Sequence, residues 1–185
     1  MKLNLTIDQG NTATKVSIFD GNSLVSTLRF ELFSTRELEQ IIADNNIEAA
    51  IYSTVKANDE SIELLLKERV SRSMVLSYKS KLPLTIDYST PETLGCDRIA
   101  AAVGAYYDSP NQNLLIIDAG TAITLDIVDE KGHLLGGNIS PGIKTRFNAL
   151  HSFTGQLPLV EQNGDLPLWG YNTETAIRAG VVLGV

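Results

Sequence analysis

A turn that could hold a charged ligand occurs twice in this chain. The first copy is Ile7-Asp8-Gln9-Gly10-Asn11-Thr12-Ala13-Thr14, and 110 residues later stands Ile117-Asp118-Ala119-Gly120-Thr121-Ala122-Ile123-Thr124. Aspartate, glycine and the final threonine fall in register. Each copy joins two strands and puts a carboxylate, backbone N–H groups and a hydroxyl at one strand edge, which suits a metal-bound polyphosphate. Gly10 lets a phosphate approach the backbone, Asn11 and Thr12 offer donors, and Lys15 adds positive charge. Asp8 and Asp118 then carry or position Mg²⁺, directly or through water. A lone copy reads as a structural turn, with the polar side chains bonding their own backbone and glycine supplying positive φ. Two copies in equivalent places favour a pair of hairpins on either side of a nucleotide. Gly-x-x-x-x-Gly-Lys-[Ser/Thr] and Gly-x-Gly-x-x-Gly are both missing, which removes the P-loop and Rossmann readings.

The elements that must position these turns follow from periodicity. Leu3, Leu5 and Ile7 alternate with polar residues, and Val16, Ile18 and Phe19 form a second strand ending at Asp20-Gly21-Asn22, a hairpin signal. Residues 24–32 supply a third strand. Ser34 with Glu37 is a capping box for a helix with Leu38, Ile41 and Ile42 on its apolar side. A strand over 49–55, a helix capped by Asn58 and a strand over 74–78 follow. A meander succeeded by strand–helix–strand predicts an α/β layered fold with mixed sheets.

Further on, 82–88 is extended, Thr90-Pro91 starts a helical turn, and a helix runs over 99–107. The apolar run 114–117 predicts a strand buried on both faces. A second meander, a helix over 143–152, a punctuated loop over 153–170 and a helix over 173–183 complete the order. Two halves are expected, 1–112 and 113–185. The second lacks a closing strand–helix pair and is expected to be incomplete, from either a shortened relative or a piece of a longer chain.

Composition narrows the function. A formal net charge of −7 and a pI near 4.8 argue against nucleic acid as partner. No apolar run is long enough to span a bilayer, and the N-terminus enters a strand without a signal-peptide core, so a cytoplasmic protein is expected. One cysteine, Cys96, and two histidines leave no disulfide and no structural zinc site to be expected.

The ordered set of motifs resembles the type III pantothenate kinases, within the superfamily of acetate and sugar kinases, heat-shock proteins and actin. The matching residues are Asp8-Gln9-Gly10-Asn11-Thr12 with Lys15, Tyr88, and Gly95-Cys96-Asp97-Arg98. They continue with Asp118 to Thr124, Gly137-Asn138-Ile139-Ser140-Pro141-Gly142, and Asn172-Thr173 with Ala176-Ile177 and Gly180. The resemblance implies a duplicated ribonuclease-H-like (actin-like ATPase) fold and ATP-dependent phosphorylation of pantothenate, the first step of coenzyme A synthesis. It also implies that Asp8, Gln9, Gly10, Asn11, Thr12, Ala13, Thr14, Lys15 and Thr121 bind ATP. Tyr88, Gly95, Cys96, Asp97, Arg98 and Thr173 would bind pantothenate, with Asp97 as general base. Asp118 would hold a monovalent cation, K⁺ or NH₄⁺, and the pocket would lie at a homodimer interface. A noncatalytic nucleotide-binding or regulatory relative, or another small-molecule kinase of the same fold, is the alternative.

Chemistry agrees with the implied roles. Pantothenate carries a carboxylate, which Arg98 can pair in bidentate fashion, and a primary hydroxyl, whose proton Asp97 can accept. An aspartate is a weak base towards an alcohol, but a loose phosphoryl-transfer transition state needs the proton removed only late. The bland reading of Asp97-Arg98 is a solvated pair at a helix start. Cys96 reads as a packing residue, His133 and His151 as surface or hairpin residues, and Trp169 and Tyr171 as core or subunit contacts.

Overall fold

The computed structural model describes residues 2–55 and 60–185. Two compact units divide the chain, Met1–Gly104 and Ala105–Val185. In the first, β1 (Leu3–Gln9), β2 (Thr14–Asp20) and β3 (Ser23–Phe30) form the expected antiparallel meander. Helix α1 (Thr35–Asp44) returns the chain to β4 (Ile47–Thr54), which lies parallel to β1. Helix α2 (Glu60–Arg69) leads to β5 (Arg72–Val75), parallel to β4. The resulting order, β3-β2-β1-β4-β5, is that of a ribonuclease-H-like mixed sheet.

Alternation decides which face is core. Leu5 and Ile7 of β1 stand opposite Ile18 and Val16 of β2, and all four are buried. Leu38 and Ile41 of α1, and Ile62, Leu65 and Leu66 of α2, pack with them in one cluster that also holds Ala50 and Tyr52 of β4. The Ser34–Glu37 capping box forms as the sequence predicts. Asn58, the expected cap of α2, lies outside the described residues. β5 stops at Val75 rather than reaching 78. The Leu76 N–H still donates to the Tyr52 carbonyl at 2.8 Å, but Ser80 then donates its N–H to the Ser77 carbonyl at 3.0 Å and turns the chain away.

A two-residue strand β6 (Thr85–Ile86) and a 3-10 turn (Pro91–Thr93) precede α3 (Cys96–Asp108). The helix begins three residues before the expected 99, so Cys96, Asp97 and Arg98 form its first turn instead of interrupting it.

In the second unit β7 (Leu114–Ala119), β8 (Ala122–Val128) and β9 (His133–Pro141) repeat the meander, followed by α4 (Ile143–Phe153) and α5 (Thr173–Val182). Phe147, Val160, Ile177 and Val181 form a local core under these helices. The expectation that 114–117 is buried on both faces fails: Leu115 and Ile117 are exposed. β7 is the end strand of its sheet and, among the described residues, pairs with β8 alone. Trp169 and Tyr171 are exposed as well, which removes the core reading of both. No helix among the described residues is long and apolar enough to cross a membrane.

Candidate active site

The first hairpin places Asp8 directly opposite Lys15, both on the sheet face away from the apolar core. Gln9 follows at the strand end, where its side-chain oxygen accepts bonds from the Tyr52 hydroxyl at 2.5 Å and the Thr54 hydroxyl at 3.0 Å. Its side chain therefore braces β1 against β4. The turn is closed by Gly10, whose N–H donates to the Ala13 carbonyl at 3.0 Å, and the second copy does the same from Gly120 to Ala122 at 2.8 Å. Both glycine N–H groups are thus used inside the turns. Neither glycine has the positive φ that the structural-turn reading assigned to it.

A cation fits at the first hairpin. In the parallel register Ser53 stands beside Asp8, and its buried Oγ has no hydrogen-bond partner. A lone hydroxyl next to a carboxylate suits a hydrated Mg²⁺, which takes one or two carboxylates and leaves its other positions to water and phosphate. Among the described residues there is no cluster of three or more histidine, cysteine, aspartate or glutamate side chains. A cation at Asp8 or Asp118 would therefore draw most of its ligands from water, backbone carbonyls or the nucleotide. Sequence reasoning missed Ser53. The signal was available, because β4 lies beside β1 in this strand order and its polar end, Ser53-Thr54, must come level with Asp8.

At the second hairpin Asp118 and Thr121 are exposed. The Thr121 carbonyl accepts the Gly142 N–H at 3.0 Å and the Thr145 hydroxyl at 2.7 Å, which ties the turn to the start of α4. A Cβ on residue 142 would overlap the Gly120 carbonyl, so glycine is required there. Thr173 is the first residue of α5, whose N-cap Asn172 accepts the Thr175 N–H at 2.9 Å.

The first turn of α3 is built around one carboxylate. Asp97 is exposed, and its Oδ1 accepts the Arg98 N–H at 2.8 Å. That same oxygen occupies the space a Cβ on residue 95 would need. Gly95 is thus what lets Asp97 point where it does. Gly95→Ala is expected to displace the carboxylate and lower kcat about tenfold, because catalytic groups tolerate little misplacement; steady-state rates beside an unchanged melting curve would test this. Arg98 is buried, with its guanidinium carbon 5.6 Å from the centre of the Tyr88 ring. A buried arginine over an aromatic ring is not the solvated surface pair of the bland reading.

Cys96 donates its thiol to the Leu76 carbonyl at 3.1 Å and so ties α3 to the end of β5. Burial, and then the neighbouring Asp97 charge, push the thiol pKa above its ordinary value. Cys96 is therefore a protonated anchor at neutral pH. Asp97→Asn removes the second cause, so iodoacetamide labelling of Cys96 should set in at lower pH in that variant than in the parent chain. An unchanged pH–rate profile would contradict this contact. The two histidines act structurally: His133 pairs with Asp129 across the β8–β9 turn, and His151 Nδ1 meets the Leu157 carbonyl.

The site residues thus fall into local groups. The first hairpin and the Tyr88–Gly95–Arg98 group lie on the first unit, while the second hairpin and Thr173 lie on the other.

Residues 4–185 match the family profile of type III pantothenate kinase. The chain belongs to the type III pantothenate kinase family. It is 48% identical to the type III pantothenate kinase of Azobacteroides pseudotrichonymphae over 98% of this chain and 74% of that one. Identity to the type III pantothenate kinase of Porphyromonas gingivalis W83 is 43% over 100% and 77% of the two chains. For that of Bacteroides fragilis YCH46 it is 44% over 99% and 75%. The chain therefore spans about three quarters of the length of these type III pantothenate kinases. Among solved structures, a Campylobacter jejuni protein assigned to the Baf family of transcriptional activators aligns at 25% identity with a TM-score of 0.57. That alignment covers 97% of this chain and 74% of that one.

Proposed function

We propose that this chain catalyses ATP-dependent phosphorylation of pantothenate to 4'-phosphopantothenate, the step that opens coenzyme A synthesis. Family membership over nearly the whole chain carries the reading. The buried Arg98 beside an exposed, braced Asp97 supports it, because together they offer a cation for the carboxylate and an acceptor for the hydroxyl proton.

In this reading the segment Asp8 to Lys15, with Thr121, holds ATP, the phosphates lying against Asn11, Thr12 and Lys15. Mg²⁺ at Asp8, through water and next to Ser53, would neutralise charge on the phosphates. Tyr88, Arg98, the Gly95-Cys96 backbone and Thr173 hold pantothenate. Its hydroxyl oxygen attacks the γ-phosphorus, the bond to the ADP oxygen breaks, and the hydroxyl proton passes to Asp97. Asp118 would hold K⁺ or NH₄⁺, supplying positive charge beside the nucleotide. The two halves, 1–112 and 113–185, correspond to the halves of an actin-like ATPase. A cytoplasmic homodimer completes the proposal; the exposed Trp169 and Tyr171 are the type of aromatic surface that interfaces favour.

A regulatory relative is the second reading, and the likeness to the Campylobacter jejuni protein favours it. Higher identity to the kinases, and the presence of Asp8, Asp97, Arg98 and Asp118 together, weigh the other way. A coupled assay of ADP release with and without pantothenate, in potassium and in sodium, separates the two. Pantothenate-dependent release raised by potassium is expected. Release indifferent to pantothenate would overturn the kinase reading.

A further inference from the structure

Four polar residues line up across four neighbouring strands of the first unit. Ser53 of β4 stands beside Asp8 of β1, Asp8 stands opposite Lys15 of β2, and Lys15 stands opposite Arg29 of β3. Directly opposed residues share a sheet face. Two positions along the same strands, the Ser17 and Thr27 hydroxyls meet at 2.9 Å across that face. The row therefore runs from a hydroxyl to a carboxylate to two cations, beside the first Asp-x-Gly turn.

Lys15 opposite Arg29 needs a cause. Like charges directly across a sheet destabilise it. In the pairings of β1 to β5 this is, among the described residues, the single place where they meet. Both side chains are exposed, and among the described residues neither has a hydrogen bond or an ion pair. Elsewhere on this unit cations have found carboxylates: Lys2 and Arg72 meet Glu48, and Lys67 meets Glu63. A charge on an edge strand such as β3 guards that edge against pairing with another chain. Edge guarding accounts for Arg29 alone. It does not account for a lysine opposite it on β2, which has a strand on either side. At the second hairpin Asp118 stands opposite Thr124, and Thr124 opposite Ile139, so the paired cations belong to the first copy only.

We propose that Arg29 joins Lys15 in a two-cation clamp for the polyphosphate of a nucleoside triphosphate, with the phosphates lying across the strands from Asp8 towards the β3 edge. An anion between the two cations turns their repulsion into attraction, and arginine meets phosphate oxygens with two parallel N–H groups. The Asp8 carboxylate and the unpartnered Ser53 hydroxyl, at the other end of the row, suit the metal that accompanies the phosphates. The clamp rests on reading the first hairpin as the ATP site and adds Arg29 to it.

Calorimetric titration of inorganic tripolyphosphate and Mg²⁺ into the 185-residue chain tests the clamp without turnover. Saturable binding is expected, about tenfold weaker in Arg29→Gln, as for a lost charge-assisted hydrogen bond. Arg29→Lys should recover most of it and Arg29→Glu should abolish it. Arg29→Gln should also flatten the salt dependence of binding, because one cation fewer is screened. Arg69→Gln, which removes the same charge from an exposed position on α2, should leave binding unchanged. Arg29 is exposed, so circular dichroism should show folded variants; if Arg29→Glu fails to fold, the glutamine and lysine variants still decide. In the coupled assay Arg29→Gln should raise the KM for ATP and leave that for pantothenate unmoved. No tripolyphosphate binding by the parent chain, equal binding by Arg29→Gln, or an equal loss in Arg69→Gln would each overturn the clamp. Binding through Arg29 without pantothenate-dependent ADP release would uphold the clamp and sink the kinase reading. Pantothenate-dependent release with an unchanged KM for ATP in Arg29→Gln would do the reverse.

Discussion

Asp97→Asn is expected to lower kcat by about a hundredfold or more, the range of a lost general base, with the KM for ATP and for pantothenate nearly unchanged. The substitution is close to isosteric. An asparagine Oδ1 can still accept the Arg98 N–H, and Gly95 still leaves room for it, so the local geometry survives. What disappears is the capacity to take the hydroxyl proton. Because one oxygen of Asp97 is held, the direction of the other is fixed, and a loose transition state needs only that oriented acceptor late in the transfer. Steady-state kinetics with a melting curve make the measurement. Full activity in the variant would remove Asp97 from the chemistry.

Arg98→Lys is expected to raise the KM for pantothenate tenfold to a hundredfold, corresponding to the ~1.5–3 kcal/mol of a charge-assisted hydrogen bond. The KM for ATP should not move. Arginine can be buried over an aromatic ring because its planar charge is delocalised and weakly hydrated; a lysine ammonium is strongly hydrated and lacks the two-pronged geometry. Tyr88→Leu removes the ring beneath the guanidinium and should give a smaller change in the same parameter. Calorimetric titration with pantothenate separates binding from turnover. If Arg98 only packs, melting temperature falls while KM stays.

Much of the frame was legible because it rests on local rules. Alternation in β1 and β2 set the buried face, the Ser34–Glu37 pair set the start of α1, and the order of elements set a mixed α/β sheet. What stayed hidden depends on partners distant in sequence. An apolar run such as Leu114–Ile117 reads the same whether or not anything covers it, so its exposure could not be foreseen. The end of β5 was misjudged because a serine turn, Ser77 to Ser80, outcompetes the ladder. Asp97 and Arg98 were found as a pair, but only packing showed that one is exposed and the other buried. Ser53 carries no motif, and its interest appears only from its place next to Asp8.

The bracing of Gln9 has a consequence for how tightly a ligand could be held. Its side-chain oxygen is taken by Tyr52 and Thr54, and its backbone carbonyl accepts the Val55 N–H at 3.2 Å. The strand end that precedes Asn11 and Thr12 is therefore rigid before any nucleotide arrives. Ordering entropy is lost once, during folding, and little remains to be lost on association. Loosening this brace, for example by Tyr52→Phe, would weaken ligands through flexibility in the free protein, without removing a single direct contact.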